Sequence, residues 1–285
     1  MQPGVAAVLL ALAAAPAFPQ TRPLQTEEAD TAPAGRLLFE TGFDAIADEP
    51  SYLTGAPRTR WDGPLLRFTY SPSDNVELDL EWVALVGASD EAGAGSVSDG
   101  GDFALRAKWR FLGSRPGRPS LAVRFGVTLP ETSFNDASGR PLGLGPNTLR
   151  AFAEGLVTWP LGRARLHGNA GLLILDEVFR PHEQRDFLLY ALALTLPLDA
   201  RFEAVAEVAG RAGDGVPGAE ERSEARVGLR FGGGRLRGDV ALRRGLEDAD
   251  GTWGGTVGLA WTIRPRRSPP APCPVGPGEA ETAAR

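Results

Sequence analysis

Glu77, Asp79 and Glu81 in VELDLEW, and Arg106, Lys108 and Arg110 in FALRAKWRFL, carry like charges spaced two residues apart. Such side chains could pair as ions or line a charged conduit, provided that one surface gathers them. A helix cannot do so, because at about 100° per residue positions two apart sit about 200° apart. A strand can, because successive side chains point to opposite faces. The other parity of the same stretches is apolar: Leu78, Leu80 and Trp82 in the first, Phe103, Leu105, Trp109 and Phe111 in the second. In a soluble sheet that face would meet a protein core. In a membrane barrel it would meet lipid, with the charges turned to a lumen.

The alternation recurs along the chain. Leu121, Val123, Phe125, Val127 and Leu129 oppose Ser120, Arg124 and Thr128; Phe202, Ala204, Ala206 and Val208 oppose Arg201, Glu203 and Glu207; Ala225, Val227, Leu229 and Phe231 oppose Glu224, Arg226 and Arg230. The pattern predicts strands near 36–46, 60–70, 76–85, 101–112, 119–129, 147–159, 163–175, 186–196, 200–209, 223–231, 235–245 and 252–263. Most have about the 9–11 residues that cross a bilayer at a tilt. The connections alternate as well. Those at 71–75, 113–118, 160–163, 197–200 and 232–234 are short; those near 47–59, 86–100, 130–146, 176–185 and 210–222 are long, with a shorter acidic one at 246–251. The expected fold is all-β: an antiparallel up-and-down transmembrane β-barrel of about twelve strands, with short periplasmic turns and longer external loops. Soluble barrels and sandwiches also use hairpins, but nothing makes them sort loop length by rim.

On this topology the lumen-lining candidates are Glu77, Asp79, Glu81, Arg106, Lys108, Arg110, Arg124, Arg150, Glu154, Arg165, His167, Glu203, Glu207, Arg226, Arg230, Arg237 and Asp239. Acids on the third strand and bases on the fourth can pair across the strands, each contact contributing about 0.2–1 kcal/mol. Such a ladder would fill a narrow barrel and fix its register, or leave a charge-lined conduit if a gap remains. On the outer parity a charge at mid-membrane would cost about 2–4 kcal/mol, so its absence there is required. Trp82, Trp109, Trp159, Trp253 and Trp261 suit interfacial girdles.

Catalysis finds little support. Outer-membrane hydrolases use histidine with Ser, Asp or Asn partners, and the chain has only His167 and His182, neither in a motif of those enzymes. No cofactor or metal site is expected, because His and Cys do not cluster and the loop acids are irregularly spaced. The glycines of FGGGRLRG (231–238) form a hairpin turn and lack the following helix of a phosphate loop.

The ends read differently from the middle. MQPGVAAVLLALAAAPA has the apolar core and small-x-small end of a signal peptide cleaved after Ala17, and is too short for a membrane anchor. Residues 18–35 read as a periplasmic lead-in, 36–263 as the barrel, and 264–285 as a disordered Pro/Arg/Ala-rich tail. The single Cys273 lies in that tail, where it can form no internal disulfide and is not placed as a lipoprotein anchor. A net charge of −6 argues against nucleic-acid binding.

The order of RPLQTEEADTAPAGRLLFETGFD, PLLRFTYSPSDNVELDLEW, GDFALRAKWRFL, PSLAVRFGVTLPETS, RLHGNAGLL, RFEAVAEVAG and RRGLEDADGTWGGTVGLAWTI resembles the bacterial outer-membrane β-barrel family of transporters linked to the meta pathway of phenol degradation. The resemblance spans Arg22 to Ile263. It implies a barrel that passes small, often aromatic or apolar, compounds, and it supplies no catalytic residues. The chain departs from the pattern at PETSFND, where such proteins often show Pro-Thr-Gly, and at its last strand, which closes on Ile263 rather than on a terminal aromatic.

The expected function is therefore an outer-membrane channel or transporter for small molecules, exported through a cleaved signal peptide. Its expected partners are outer-membrane lipid, a small solute and the barrel-assembly machinery. The alternative from another class is a non-conducting structural or surface-interaction barrel, with a hydrolase a more distant one.

Overall fold

The computed structural model describes residues 20–89, 96–115, 117–137, 139, 141–180 and 182–263. The expected signal peptide and the tail with Cys273 lie outside the described residues. Fourteen strands are described: β1 Leu37–Pro50, β2 Pro57–Ser73, β3 Val76–Val83, β4 Val86–Ser89, β5 Ser96–Asp99, β6 Phe103–Leu112, β7 Ser120–Leu129, β8 Arg150–Leu161, β9 Ala164–Asp176, β10 Gln184–Pro197, β11 Phe202–Gly213, β12 Arg222–Gly233, β13 Leu236–Gly245 and β14 Trp253–Ile263. Both β3 and β4 pair with β2, so they form one interrupted stave; β5 and β6 form the next, paired with β4 and β3. The count is twelve staves, every neighbour antiparallel. Because β1 pairs with both β2 and β14, the sheet closes into a barrel.

The period of two explains why these segments are staves. Leu105, Trp109, Phe125, Leu192, Val227 and Leu242 stand exposed on the outside, while Lys108, Arg230 and Asp239 are about 2% exposed within. An apolar exterior wrapped round a charged interior inverts the arrangement of a soluble domain and suits a barrel set in lipid. A bulge breaks the parity on β2. Gly63 has φ +147°, a backbone that side chains rarely adopt, and the β1–β2 register shifts there. Arg58, Arg60 and Asp62 before the bulge and Leu65, Arg67 and Thr69 after it can then all turn inward.

Four sequence expectations are corrected. The loop expected at 47–59 shrinks to 51–56, because Glu49 pairs with Arg58 and Pro50 with Pro57 in the extended β1–β2 ladder. That makes it no longer than the turn at 113–119, so the sorting of connections by length is looser than expected. The loop at 86–100 contains a hairpin, β4 with β5, and the stave expected from 147 begins at Arg150. The largest correction concerns 18–35: its described residues, from Gln20 onward, lie inside the barrel, and Gln20, Arg22, Leu24, Thr26, Glu27, Glu28 and Ala29 are all buried.

Candidate functional site

Residues 20–34 carry Pro23 and Pro33 and no apolar period, and they form neither a helix nor a ladder strand. The barrel wall satisfies their backbone instead. The amides of Thr21 and Arg22 donate to Glu40 (both 3.1 Å), that of Gln25 to Glu207 (2.8 Å), that of Thr26 to Glu207 (2.9 Å), that of Ala29 to the Thr158 hydroxyl (2.9 Å) and that of Ala32 to Glu77 (2.6 Å). The carbonyls are met by cations. Arg230 donates to Gln20 (2.6 Å) and Arg22 (2.8 Å), Arg226 to Pro23 (2.7 Å), and Lys108 to Glu28 (3.1 Å) and Asp30 (3.0 Å). Buried backbone groups without partners are costly, so this wall is built to hold an extended peptide.

Its side chains are held too. Glu27 lies 2.6 Å from Arg67, 3.2 Å from Arg124 and 3.8 Å from Lys108. Glu28 is 2.8 Å from Arg165, which also pairs with Asp30. Leu24 packs on Ala193 and Val205, and Ala29 on Ala122 and Leu156.

The residues singled out from the sequence all fall on staves, with their side chains buried or half-buried on the inner face. Two of the expected cross-strand pairs form, Lys108 with Glu77 (2.5 Å) and Arg106 with Glu81 (2.6 Å). Asp79 is opposite Arg106 in register but pairs with Arg67 on β2 (2.8 Å). Arg110 reaches Asp30 of the segment (3.8 Å) and the Asp74 carbonyl (2.7 Å). Arg124 pairs with Glu154 (3.0 Å), Arg150 with Asp102, and both Arg230 (3.0 Å) and Arg237 (3.6 Å) with Glu203. Asp239 faces Gln20 and Arg22, and Glu207 faces Arg226 (3.6 Å) as well as the segment. His167 sits between the hydroxyls of Thr158 (3.0 Å) and Thr195 (3.3 Å). A simple ladder between the third and fourth strands is thus replaced by a network in which much of the wall grips residues 20–32.

The lumen-lining candidates leave out Glu40, Arg67, Thr158 and Glu224, which share the inner parity and contact the segment, although Glu224 stands on the charged parity already noted for its strand. They also leave out an apolar sector. Leu173, Leu175 and Phe187 are buried with Ala219, and Phe152 and Leu189 pack against them. On β9, Leu173 and Leu175 share the parity of Arg165 and His167, so their inner position was legible; on β10 the stretch from Phe187 to Leu194 is apolar or aromatic on both faces, and no charge there marks which face is inner.

Between the segment and the long-loop rim lies a cavity of about 650 Å³. Arg22, Leu24, Gln25 and Glu27 form its floor; Arg60, Asp62, Asp102, Arg150, Arg211 and Arg222 line one part of the wall, and Phe152, Leu173, Leu175 and Leu189 another. Residues 141–149 of the β7–β8 connection fold over the rim. Arg58 donates to the Leu142 (3.2 Å) and Gly143 (2.7 Å) carbonyls, Arg60 to Leu144 (2.8 Å), and the Tyr52 hydroxyl to Gly145 (2.8 Å). Leu142 and Leu144 bury against Val86 and Ala88. The result is a chamber with a charged side and an apolar side, closed below by the chain's own N-terminal segment.

A closed antiparallel barrel of twelve staves with an apolar outside and a charged lumen has the architecture of outer-membrane barrels. In fold the chain is similar to the COG4313 outer membrane channel from Pseudomonas putida F1, with a TM-score of 0.64 and 17% identity over 82% of this chain and 98% of that one. It is also similar to the NanC porin, with a TM-score of 0.50 and 6% identity over 80% of this chain and 99% of that one. No family model and no curated protein matches the chain. At these identities the likeness is one of fold.

Proposed function

We propose that this protein is a channel or transporter of the bacterial outer membrane, passing small molecules through a lumen that residues 20–34 close on the short-turn side. The observation that carries the reading is the chamber of about 650 Å³ inside a closed barrel, floored by a segment that is continuous with β1 at its C-terminal end and is otherwise held by non-covalent contacts alone. The segment is the movable part: every contact it makes with β2–β14 is a hydrogen bond, an ion pair or an apolar contact. Likeness of fold to an outer membrane channel supports the same reading. Passage of small aromatic or apolar compounds, outer-membrane location and export through a cleaved signal are the finer parts of the proposal.

The density of bonds between segment and wall favours a second reading, a barrel that stays shut and serves structure or surface interaction. Planar-bilayer conductance and liposome uptake separate the two, measured on the unaltered chain and on the triple variant Glu27→Gln, Glu28→Gln, Asp30→Asn. The channel reading expects little current from the first and a sustained current with solute uptake from the second. No current and no uptake from either would overturn it and leave the structural barrel.

A further inference from the structure

Arg211, on β11, differs from the other arginines around the chamber. Arg60 faces Glu49 and Asp62, Arg150 faces Asp102, Arg222 faces Glu49 and Arg243 faces Glu224. Arg211 has no carboxylate partner among the described residues. Its Nε donates to the Glu220 carbonyl (2.8 Å) and its guanidinium lies over the Phe187 ring, 5.2 Å from the centroid. No bond from its Nη nitrogens is made among the described residues. The β11–β12 register sets Arg222 directly opposite, and like charges so placed disfavour the sheet. The chain therefore keeps two guanidiniums side by side on the chamber wall with only one of them neutralised.

On the β10 side of the pair the wall is apolar. Leu189 is the register partner of Arg211 on β10, and Leu173 and Leu175 continue the sector on β9. Guanidinium Nη groups bind carboxylates in forked pairs, and small-ligand sites of about 300–1,000 Å³ combine apolar walls with a few such polar groups. A neutral apolar solute would leave the Nη groups of Arg211 unmatched, and a cation would be repelled. The acids near the pair are already engaged: Glu220 by the Gly218 amide, Asp250 by the amides of Ser223 and Glu247, Glu49 and Asp62 by Arg60, and Asp102 by Arg150. Deeper in the lumen the same chemistry is already in use, since Arg165 holds the carboxylates of Glu28 and Asp30.

We propose that the chamber binds a small organic carboxylate with an apolar body, its carboxylate on Arg211 with Arg222 alongside and its body against Leu173 and Leu189. The inference rests on the channel reading for its biological sense, and its test is independent of it. Titration calorimetry on the full chain in detergent micelles uses benzoate, with neutral benzamide as the comparison. Saturable benzoate binding is expected, about tenfold tighter than benzamide, as charge-assisted pairing requires. Arg211→Gln should lose about that factor, whereas Arg201→Gln, at the opposite rim, should not. Heat-modifiable mobility checks that the variants fold, and the benzoate–benzamide comparison needs no variant. Equal binding of the two probes, no saturable benzoate binding, or an unchanged Arg211→Gln would overturn the site. A barrel that conducts without benzoate preference would remove the site and leave the channel; benzoate binding without current or flux would do the reverse.

Discussion

Arg22 occupies the space that a side chain at Gly42 would need. A Cβ built on Gly42 would stand 2.1 Å from the Arg22 Cζ, and one on Gly258, the register partner of Gly42, would stand 2.4 Å from Nε. From that slot Arg22 bonds the Thr256 hydroxyl and the Val257 carbonyl (2.9 Å) and faces Asp44 and Asp239. The two glycines make the floor on which the first turn of the lumenal segment is anchored.

Gly42→Ala should therefore dislodge the start of the segment while the staves remain paired. Overpacking of this kind costs about 1–3 kcal/mol, and 1.4 kcal/mol is about tenfold in an equilibrium. With Thr26→Cys as a buried reporter in a Cys273→Ser background, maleimide labelling of the folded barrel should quicken about tenfold. An unchanged labelling rate would mean that Arg22 does not anchor the segment.

Lys108 and Arg106 sit two apart on β6 and should behave differently. Lys108 joins Glu77 to the carbonyls of Glu28 and Asp30, whereas Arg106 pairs with Glu81 across the wall. Removing one partner of a buried pair costs about 3–5 kcal/mol, so Lys108→Met and Arg106→Met should both lower the urea midpoint of the barrel. Only Lys108→Met should also speed labelling at Thr26→Cys. Faster labelling in both would show that the segment responds to wall stability rather than to its own bonds.

The staves were legible in the sequence because lipid imposes one rule on every outer position, and the period of two repeats wherever the inner position is charged. VELDLEW and FALRAKWRFL carry that signal without ambiguity. FLLYALALTL, which supplies Leu189 to the chamber, does not: its residues from Phe187 to Leu194 are apolar or aromatic on both faces, so this part of the chamber's apolar side carried no mark of which face was inner. Residues 18–35 read as a periplasmic lead-in for a physical reason as well. A peptide whose backbone is satisfied by distant side chains has no periodicity of its own, and TEEADTAP looks like any polar lead-in. The available signal was complementary charge, three acids in four residues (Glu27, Glu28 and Asp30) facing a lumen rich in arginine, and it needs the closed barrel before it can be seen.

Arg165 finds both of its carboxylates, Glu28 and Asp30, on the segment. Neutralising Glu27, Glu28 and Asp30 should thus leave cations facing the opened lumen and favour anions. Under a KCl gradient, the reversal potential of the triple variant should move toward that of chloride, and adding Arg165→Gln should move it part of the way back. A cation-selective current in the triple variant would contradict this assignment of charges.

The outer face carries the last prediction. Leu105 lies midway along the stave that β5 and β6 form together, with Leu80 and Val127 as its register partners, and all three are exposed apolar side chains on the same band. Leu112 is also exposed and apolar but ends the strand at the short-turn rim. An arginine at the bilayer midplane of a barrel costs about 2–4 kcal/mol, falling to about 0–1 kcal/mol near the interface. Leu105→Arg should therefore lower the stability of the barrel in lipid vesicles by about 2–4 kcal/mol, read from urea titration, while Leu112→Arg changes it by no more than about 1 kcal/mol. In a soluble sheet packed on another protein layer the contrast would follow burial in that layer and would persist without lipid. In a lipid-embedded barrel it should shrink in a zwitterionic detergent micelle, where the arginine can reach water, so repeating the titration there ties the depth dependence to the bilayer itself.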